Sequence, residues 1–324
     1  MIDSSAELLI ALTKAKGGEV INVAPGDYGR LVINNIKKIP AVTITGPGAR
    51  VASLKLDNSS GLTFKNMEFY APEPGHFAYI VSKSENISFL NIRVHGVLDG
   101  NPQGKPSGIS IRNSTNVRVS GSEFQQLRRA IAVNDSDQID ISLNNIHDIQ
   151  TDGIMISAVE DIKIIKNRIS NFSPNETDHP DGIQFLTRGK SRSSDGILIQ
   201  NNVIFRGHGP SIQGIFLTDQ EGNLPYKNVR IIGNTLVGTA YHGIAVVQAE
   251  NVEISKNELY SYPGKTGLNW IIVRKAQGVT SIDNKAIRFI YDDVSGLKES
   301  GNKNNKPVKD AAVASSVVER ALNN

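Results

Sequence analysis

Apolar and polar residues alternate in short segments along most of this chain. Each segment starts with a small residue or a tryptophan and continues with apolar residues at alternate positions, and successive segments begin 22 to 32 residues apart. Alternation with period two is typical of β-strands, and its recurrence at this spacing indicates a solenoid of stacked parallel strands. The segments are GISI at Gly108, AIAV at Ala130, GIMI at Gly153, GIQF at Gly182, GIFL at Gly214, GIAV at Gly243 and WIIV at Trp270.

A column of asparagines accompanies the strands. Asparagine tolerates the left-handed backbone conformation that a sharp corner needs, and its amide can stack on the next coil. Residues one and three places after each small residue should face the interior, and those two and four places after it should face outward. We therefore predict an all-β fold, a right-handed parallel β-helix. The column is formed by Asn145, Asn167, Asn202, Asn234, Asn257 and Asn284.

Both ends of the chain predict helices. An amphipathic segment from Ser4 to Lys16 should cap the first coil, because a bare terminal coil exposes its strand edges. After Gly301 a polar linker leads into VKDAAVASSVVERALNN, which we interpret as a helix that either caps the last coil or mediates a homo-oligomer. The predicted domains are a capping helix and first strand (1–20), the β-helix (21–301) and a linker with a C-terminal helix (302–324).

The composition limits the chemistry and the partners that the chain can have. The chain has 324 residues, of which 39% are hydrophobic and 6% aromatic, and it has no cysteine, which excludes disulfides and thiolate chemistry. We find neither an 18-residue apolar span nor a secretory signal, and we expect neither a membrane nor a nucleic acid as partner. The net charge of +3 suits an anionic partner, although a solvated surface explains it equally well.

Two central coils are enlarged on both sides of one strand. The distance from the small residue to the following asparagine is 20 residues in the coils of Gly182 and Gly214, against 14 or 15 in the other four. Paired loops beside one sheet build the walls of a groove. We expect this groove to cross the strands that begin at Gly153, Gly182, Gly214 and Gly243. Its predicted walls are the loops 171–181, 187–195, 205–213 and 219–227.

Titratable residues concentrate at this groove. Asp152 and Asp181 each precede the small residue of adjacent coils, about 4.8 Å apart. Like charges at this distance separate the two pKa values, as acid and base roles require. His179, in the segment TDHPDGIQF, and His208, one coil further on, lie beside them. We predict that these four residues are catalytic.

Other residues near the same strands are predicted to bind substrate. Charged side chains in the loops would hold a charged ligand, and aromatic rings would stack on sugar rings. Tyr226 and Trp270 should supply stacking surfaces at the margins of the groove. The full set is Asp178, Gln184, Arg188, Arg206, Phe216, Asp219, Tyr226, Tyr241, His242 and Trp270.

The coil region resembles the pectin-lyase-like β-helix superfamily, whose members mostly cleave or epimerise acidic polysaccharides in a groove along one sheet. The opening LLIALTKAKGGEVINVAPGDYG looks like the start of mannuronan C5-epimerases and alginate-lyase relatives. Those epimerases carry an Asp-Pro-His-acid signature, whereas this chain has the permuted order Asp178, His179, Pro180, Asp181.

Polygalacturonases of the same superfamily are similar in QTDGIM (150–155), PDGIQ (180–184) and GHGPSI (207–212). Asp152, Asp181 and His208 match their motifs, while Pro180 stands where their proton donor usually lies. Ala245 and Val247 replace their arginine and lysine. The β-helix with a helical tail also resembles the depolymerase part of a phage tail spike, which implies an extracellular or virion-associated protein.

These resemblances imply an endo-acting polysaccharide lyase that cleaves a uronate-containing glycan by β-elimination. His179 or His208 would be the base, Asp181 and Asp152 its partners, and Arg188 or Arg206 the carboxylate contacts. The alternatives are a hydrolase that uses Asp152 and Asp181, a C5-epimerase, and a non-catalytic carbohydrate-binding or spike module. We expect no metal or other cofactor. Calcium is the alternative, with oxygen ligands from Asp152, Asp178, Asp181 and Asp219.

Overall fold

A computed structural model describes residues 2–72, 77–262 and 268–323 of the chain. It contains two helices, α1 (Ser5–Lys14) and α2 (Ala311–Leu322), and short strands between them. The strands of the first half are β1 (Val20–Asn22), β2 (Gly26–Asp27), β3 (Arg30–Asn34), β4 (Lys37–Thr45), β5 (Ala49–Val51), β6 (Ser53–Asp57), β7 (Ser60–Lys65), β8 (Glu68–Tyr70), β9 (Phe77–Ser82), β10 (Glu85–Leu90), β11 (Arg93–His95), β12 (Ser107–Arg112), β13 (Thr115–Ser120), β14 (Glu123–Leu127), β15 (Ile131–Ser142) and β16 (Asn145–Ile149). Those of the second half are β17 (Ile154–Ile165), β18 (Arg168–Phe172), β19 (Asp181–Leu186), β20 (Asp195–Gln200), β21 (Val203–Phe205), β22 (Gln213–Thr218), β23 (Tyr226–Ile232), β24 (Thr235–Val237), β25 (His242–Ser255), β26 (Glu258–Tyr260), β27 (Trp270–Ile282), β28 (Lys285–Ala286), β29 (Arg288–Ser295), β30 (Lys298–Ser300) and β31 (Lys303–Asn304).

The strands wind into a parallel β-helix with three faces, as the repeat predicts. The first face runs β3-β6-β9-β12-β15-β17-β19-β22-β25-β27-β29. The second runs β1-β4-β7-β10-β13-β15-β17-β20-β23-β25-β27-β30. The third runs from β2 to β31 through β5, β8, β11, β14, β16, β18, β21, β24, β26 and β28.

Four long strands, β15, β17, β25 and β27, serve both the first face and the second face. Each turns the corner at a residue with positive φ, namely Asp135, Ala158, Gln248 or Lys275, and has a second residue with positive φ three places further on. In the two enlarged coils this corner residue is replaced by the loops 187–194 and 219–225. The enlarged coils therefore interrupt the corner between the first face and the second face.

The predicted alternation of inward and outward residues is confirmed along the first face. Ile183 and Phe185 of β19 are completely buried in the single main core, as are Ile215 and Leu217 of β22. The outward position between the last two carries Phe216, which is only partly buried. Each coil therefore contributes a thin aliphatic layer, which explains the low aromatic content.

The asparagine column exists, but the prediction was wrong about one of its positions and about which residue adopts the left-handed backbone conformation. The buried member is Asn144, not Asn145, because its amide nitrogens donate to Asn167 Oδ1. The same bonds continue from coil to coil up to Asn302. The left-handed residue is the one before each ladder asparagine, such as Leu143, Lys166 or Asn201. The asparagines thus stabilise the corner by hydrogen bonds and do not occupy its left-handed position.

A second ladder, of serines, lies at the corner before the second face. The backbone N–H of Ser59 donates to Ser84 Oγ, that of Ser84 to Ser114 Oγ, and that of Ser114 to Ser136 Oγ. All four side chains are buried. The sequence analysis did not identify this column, because single serines are common in any turn.

The N-terminal helix α1 lies where the sequence predicts it. Ser4 is its N-cap and accepts a hydrogen bond from the Glu7 backbone. Leu8 and Leu12 are completely buried in the main core. This apolar stripe covers the start of the β-helix beside β3, so that the first layer is closed against water.

The C-terminal helix α2 does not cap the last coil. Its buried residues Ala314, Val317 and Val318 pack on Val203 and Val237 of the third face. Asp310 caps its N-terminus by accepting from the Val313 backbone. The helix therefore lies along the side of strands β21 and β24. Its role in a homo-oligomer stays a prediction. In the described ranges, neither helix is both long and apolar enough to cross a membrane.

Candidate active site

The enlarged loops lie at both ends of β19 and β22, as the spacing predicts. Residues 173–180 and 206–212 precede these strands, and 187–194 and 219–225 follow them. The two loops that follow are joined to each other, because Thr187 Oγ1 donates to Asp219 Oδ1 at 2.6 Å and Gly189 N donates to Glu221 Oε1 at 2.6 Å. This end of the two strands is thereby held in place by hydrogen bonds.

Two predicted substrate contacts at this end are wrong. Asp219 is buried, and its carboxylate accepts from Thr187 and from the backbone of Glu221 and Leu224, which lowers the pKa of the carboxyl against the effect of burial. Tyr226 is completely buried against Phe185, and its hydroxyl donates to the Thr218 carbonyl. Asp219 therefore shapes the loop and Tyr226 fills the core, so neither presents a surface to a ligand.

At the opposite end of the same strands, polar side chains form a continuous row across five coils. The parallel register aligns Asp181 with Gln213, and His242 with Trp270. The row consists, in order of the coils, of Arg129, Asp152, Asp181 with His179, Gln213 and His242. Apart from His179, these residues directly precede the small residue of each repeat, so the fold brings them to one edge of the first face.

The two aspartates of the row lie in different environments. Asp152 forms an ion pair with Arg129, whose Nε and Nη2 lie 2.8 and 2.7 Å from Asp152 Oδ2. Burial nevertheless raises the pKa of Asp152. Asp181 is completely buried, and burial raises its pKa to about 6, with a further contribution from the charge of Asp152. The charge of Asp152 thus acts on Asp181 from the neighbouring coil.

Asp181 is anchored on one oxygen only. Its Oδ2 accepts from Gln184 Nε2 at 2.5 Å and from His179 Nδ1 at 3.3 Å. Its Oδ1 is buried without a hydrogen-bond partner in the described part of the chain. Gln184 faces outward as predicted but is mostly buried, so its contact is with Asp181.

His179 is the exposed member of the pair. Its side chain keeps 64% of its surface accessible, whereas that of Asp181 keeps none. The hydrogen bond that His179 donates to Asp181 raises the pKa of the His179 imidazole, and burial opposes this only in part. An imidazole that is oriented by a buried carboxylate is the arrangement that proton-transfer sites use.

Gln213 connects His179 to His242. Its Nε2 lies 2.5 Å from His179 Nε2, and its Oε1 lies 2.8 Å from His242 Nδ1. Burial lowers the pKa of His242, and the charges of Arg274 and His179 lower it further. The two imidazoles are therefore shifted in opposite directions, since only His179 has a carboxylate beside it.

Aromatic rings accompany the row on the outer surface. Phe216 lies between the two imidazoles, with ring centroids 6.1 Å from His179 and 5.4 Å from His242. Tyr241 packs edge-on against Trp270 at 5.6 Å and remains exposed. These three rings offer flat apolar surface beside polar groups, which is suited to stacking on a sugar ring.

His208 and Arg206 do not join the row. His208 is exposed, and its Nε2 lies 3.5 Å from Asp148 Oδ1, while its backbone bonds to Asn171. Arg206 Nε donates to the Gly209 carbonyl, and its guanidinium lies 5.0 Å from the Tyr262 ring. Both residues thus contact the side of the third face, because the loop after β21 folds towards that side before the chain enters β22.

Asp178 and Arg188 lie on the loops around the row. Asp178 accepts from Gln150 Nε2 at 2.8 Å and from the Asn175 backbone, so it fixes the loop before β19. Arg188 is exposed on the loop after β19. The neighbouring cations of that loop, Lys190 and Arg192, pair with Asp135 and Asp137.

Three members of the site were not assigned a role from the sequence. Gln213 and Arg129 stood in the aligned column, which was the available signal, but an amide and an arginine at a strand edge have many ordinary explanations. Arg274 carried no such signal, since it follows WIIV outside the column. Its charge nevertheless acts on His242 from the next coil.

No three His, Asp or Glu side chains are grouped so as to hold a metal ion in the ranges that the structure describes.

Comparison with known proteins gives a family for this geometry. Residues 31–172 and 79–270 match the family described as the right handed beta helix region. None of the curated proteins matches the sequence. Among solved structures, the Family 28 exopolygalacturonase of Yersinia enterocolitica has a TM-score of 0.55 at 11% identity, over 94% of this chain and 76% of that one.

Two further structures are similar at comparable levels. The Dettilon tailspike protein has a TM-score of 0.55 at 12% identity, over 92% of this chain and 62% of that one. The PL6 family alginate lyase AlyGC has a TM-score of 0.51 at 13% identity, over 94% of this chain and 51% of that one. At these identities the likeness shows a shared fold. The chain spans about half the length of this lyase.

Proposed function

Because the chain belongs to the right-handed β-helix family, we propose that it acts on polysaccharides, and specifically that it is an endo-acting lyase of a uronate-containing glycan. The observation that supports this most is the row itself. An exposed imidazole is held by a buried carboxylate and linked through an amide to a second imidazole, beside aromatic rings and between enlarged loops. The similarity to structures named as an exopolygalacturonase and an alginate lyase supports the same class of substrate.

β-Elimination needs three things from a protein. A base removes the proton next to the uronate carboxyl group, a cation or acid stabilises the charge that develops, and a proton reaches the leaving oxygen. Imidazoles are suited to proton transfer, and the row contains those of His179 and His242. The charge of Arg274 lowers the pKa of His242, in addition to burial, and we assign this arginine to the uronate carboxylate.

Burial argues against hydrolysis by Asp152 and Asp181. A hydrolase needs two carboxyl groups that reach the glycosidic bond from opposite sides. Asp181 has no exposed surface, and Asp152 is almost as deeply buried and is paired with Arg129. We therefore assign both aspartates to positioning and to the local charge.

A panel of acidic polysaccharides tests the reaction type. We expect the wild-type protein to shorten at least one of them and to produce the ultraviolet absorbance of an unsaturated uronate. Chain shortening with new reducing ends and no absorbance would mean hydrolysis, and a change of sugar configuration without shortening would mean epimerisation. Either result contradicts the proposed lyase.

Paired variants locate the activity. The double variant His179→Ala/His242→Ala should lose the activity while it keeps its melting temperature. His208→Ala removes another exposed histidine, which contacts Asp148 of the third face and not the row, and should leave the activity unchanged. If neither variant loses activity, the row is not the site, and the alternative of a non-catalytic cluster gains support.

We also place the protein outside the cell or on a virion, which the likeness to a tailspike supports.

A further inference from the structure

The Gln213 side chain imposes opposite proton states on the two imidazoles. A neutral amide offers a donor on one side and an acceptor on the other. His179 Nε2 faces one side and His242 Nδ1 faces the other. Whichever way the amide points, one of these two ring nitrogens must carry a proton and the other must not, since otherwise two donors or two acceptors would meet.

When His179 is neutral, Asp181 determines the orientation of the Gln213 side-chain amide. The carboxylate oxygen 3.3 Å from His179 Nδ1 requires a proton on that nitrogen, so Nε2 is bare and accepts from the Gln213 amide. Gln213 Oε1 then accepts from His242 Nδ1. His242 consequently keeps its proton on Nδ1 and has a bare Nε2, which has no hydrogen-bond partner among the described residues.

We propose that His242 Nε2 is the atom that exchanges the proton with the substrate, and that Gln213 and His179 are positioning residues that set its tautomer. This inference rests on the proposed lyase function. Both ring nitrogens of His179 are engaged by protein groups, whereas one nitrogen of His242 is available. Phe216 stacks on the His242 ring and Trp270 is aligned with it in register, so the ring lies against apolar surface.

The step balances without a further reactant. His242 Nε2 takes the proton from the carbon next to the uronate carboxyl group, and the electrons of that C–H bond form the new C=C bond. The C–O bond to the leaving sugar breaks with its electron pair on oxygen. The His242 imidazolium then returns the proton to this oxygen, and the enzyme is restored.

Protonation of His179 reverses the arrangement. His179 is faced by Asp181 and Asp152, which favour its charged form, and His242 is faced by His179 and by Arg274, which is itself paired with Asp292. When His179 gains a proton, its Nε2 becomes a donor and the Gln213 amide must turn over. The amide then donates to His242 Nδ1, and the remaining proton of His242 moves to Nε2. In that state His242 cannot act as a base.

Nitrogen NMR of the histidine rings tests the coupling without any substrate. At a pH above the pKa of His179 we expect His242 in the Nδ1-protonated tautomer, and in Gln213→Leu we expect this preference to be lost. His208 serves as an internal reference, since it is exposed and contacts Asp148 and not Gln213. A wild-type His242 protonated on Nε2 at that pH, or a Gln213→Leu spectrum identical to wild type, would overturn the coupling.

Kinetics with a cleaved polysaccharide separate the roles. His242→Gln should lower kcat by about 100-fold or more, as loss of a proton-transfer group does. His179→Gln should retain more activity and lose the acidic limb of the pH profile, because no titrating group is left to turn Gln213. Abolished activity in His179→Gln with full activity in His242→Gln would overturn the assignment. If the wild type cleaves no acidic polysaccharide, the proposed function and this role of His242 fail together, and the tautomer alone still decides the coupling.

Discussion

At the scale of single residues, the burial of the Asp181 carboxylate is the feature of the site that most disfavours folding. Asp181 is completely buried, its charge is opposed by burial and by Asp152, and one of its oxygens has no partner within the described ranges. Asp152, by contrast, has an arginine beside it. A buried carboxylate with no arginine or lysine beside it destabilises a fold at a pH where its histidine partner is neutral, and such groups are found where a function requires them.

Replacing this carboxylate should stabilise the protein at high pH. The pKa of Asp181 is raised from 3.8 to about 6, so its contribution to stability is full below pH 3.8 and is lost as the pH rises through about 6. Asp181→Asn removes the charge, and we expect up to about 3 kcal/mol more unfolding free energy at pH 8. Chemical denaturation at several pH values measures this. Wild type and variant should converge below pH 4, and a variant that is less stable at pH 8 would contradict the argument.

The activity should have an acidic limb that belongs to His179. The bond to Asp181 raises the pKa of His179, so activity should rise with pH as His179 loses its proton, above the ordinary range of histidine. In Asp181→Asn the charge that favours the protonated ring is gone. The limb should therefore move to lower pH in a plot of kcat/KM against pH. An unchanged limb would show that another group titrates there.

At the scale of elements, the asparagine ladder joins the coils at the corner before the third face. Asn202 is completely buried, donates to the Ile164 carbonyl and to Asn234 Oδ1, and accepts from Asn167. The sequence predicted this column from its spacing. It misplaced the left-handed residue, because Asn201 and Asn202 are both asparagines suited to a corner and only the buried hydrogen bonds distinguish them.

Loss of one ladder amide should be costly. Asn202→Ala leaves the Ile164 carbonyl and the Asn167 amide without their partners, and we expect a loss of about 2–4 kcal/mol of unfolding free energy. Asn201→Gly is the matched control, because glycine adopts the positive φ of 54° freely at this exposed position. Thermal or chemical denaturation compares the two variants. Equal stabilities would mean that the ladder does not join the coils.

Helix α2 should stabilise the side of the third face. Val317 is buried against this face, so Val317→Asp should cost about 2–4 kcal/mol, whereas Val313→Asp changes an exposed residue of the same helix and should be nearly neutral. Denaturation and the molar mass in solution distinguish a helix that packs on its own third face from a helix that mediates oligomerisation. A fall in molar mass with Val313→Asp, and no loss of stability with Val317→Asp, would favour association through α2.

At the scale of the whole molecule, the sequence was sufficient to predict the coils but not the direction in which the loops fold. The repeat of small and apolar residues reports burial directly, so the inward positions such as Ile183 and Phe185 followed from it. His208 lies in an insertion and Tyr226 directly follows one, where no periodicity indicates which way a side chain turns. The row itself followed from the aligned column, but the link through Gln213 depends on distances that only the structure gives.

The most direct test of the account is a crystal structure of His242→Gln with an oligosaccharide of a polysaccharide that the wild type cleaves. We expect the sugar chain to cross β17, β19, β22 and β25, about 15 Å at 4.8 Å per coil. One uronate should lie within hydrogen-bond distance of residue 242, with its carboxylate towards Arg274. An oligosaccharide bound on the second face or the third face, away from Asp181 and Gln213, would contradict the central claim that the polar row is the site of cleavage.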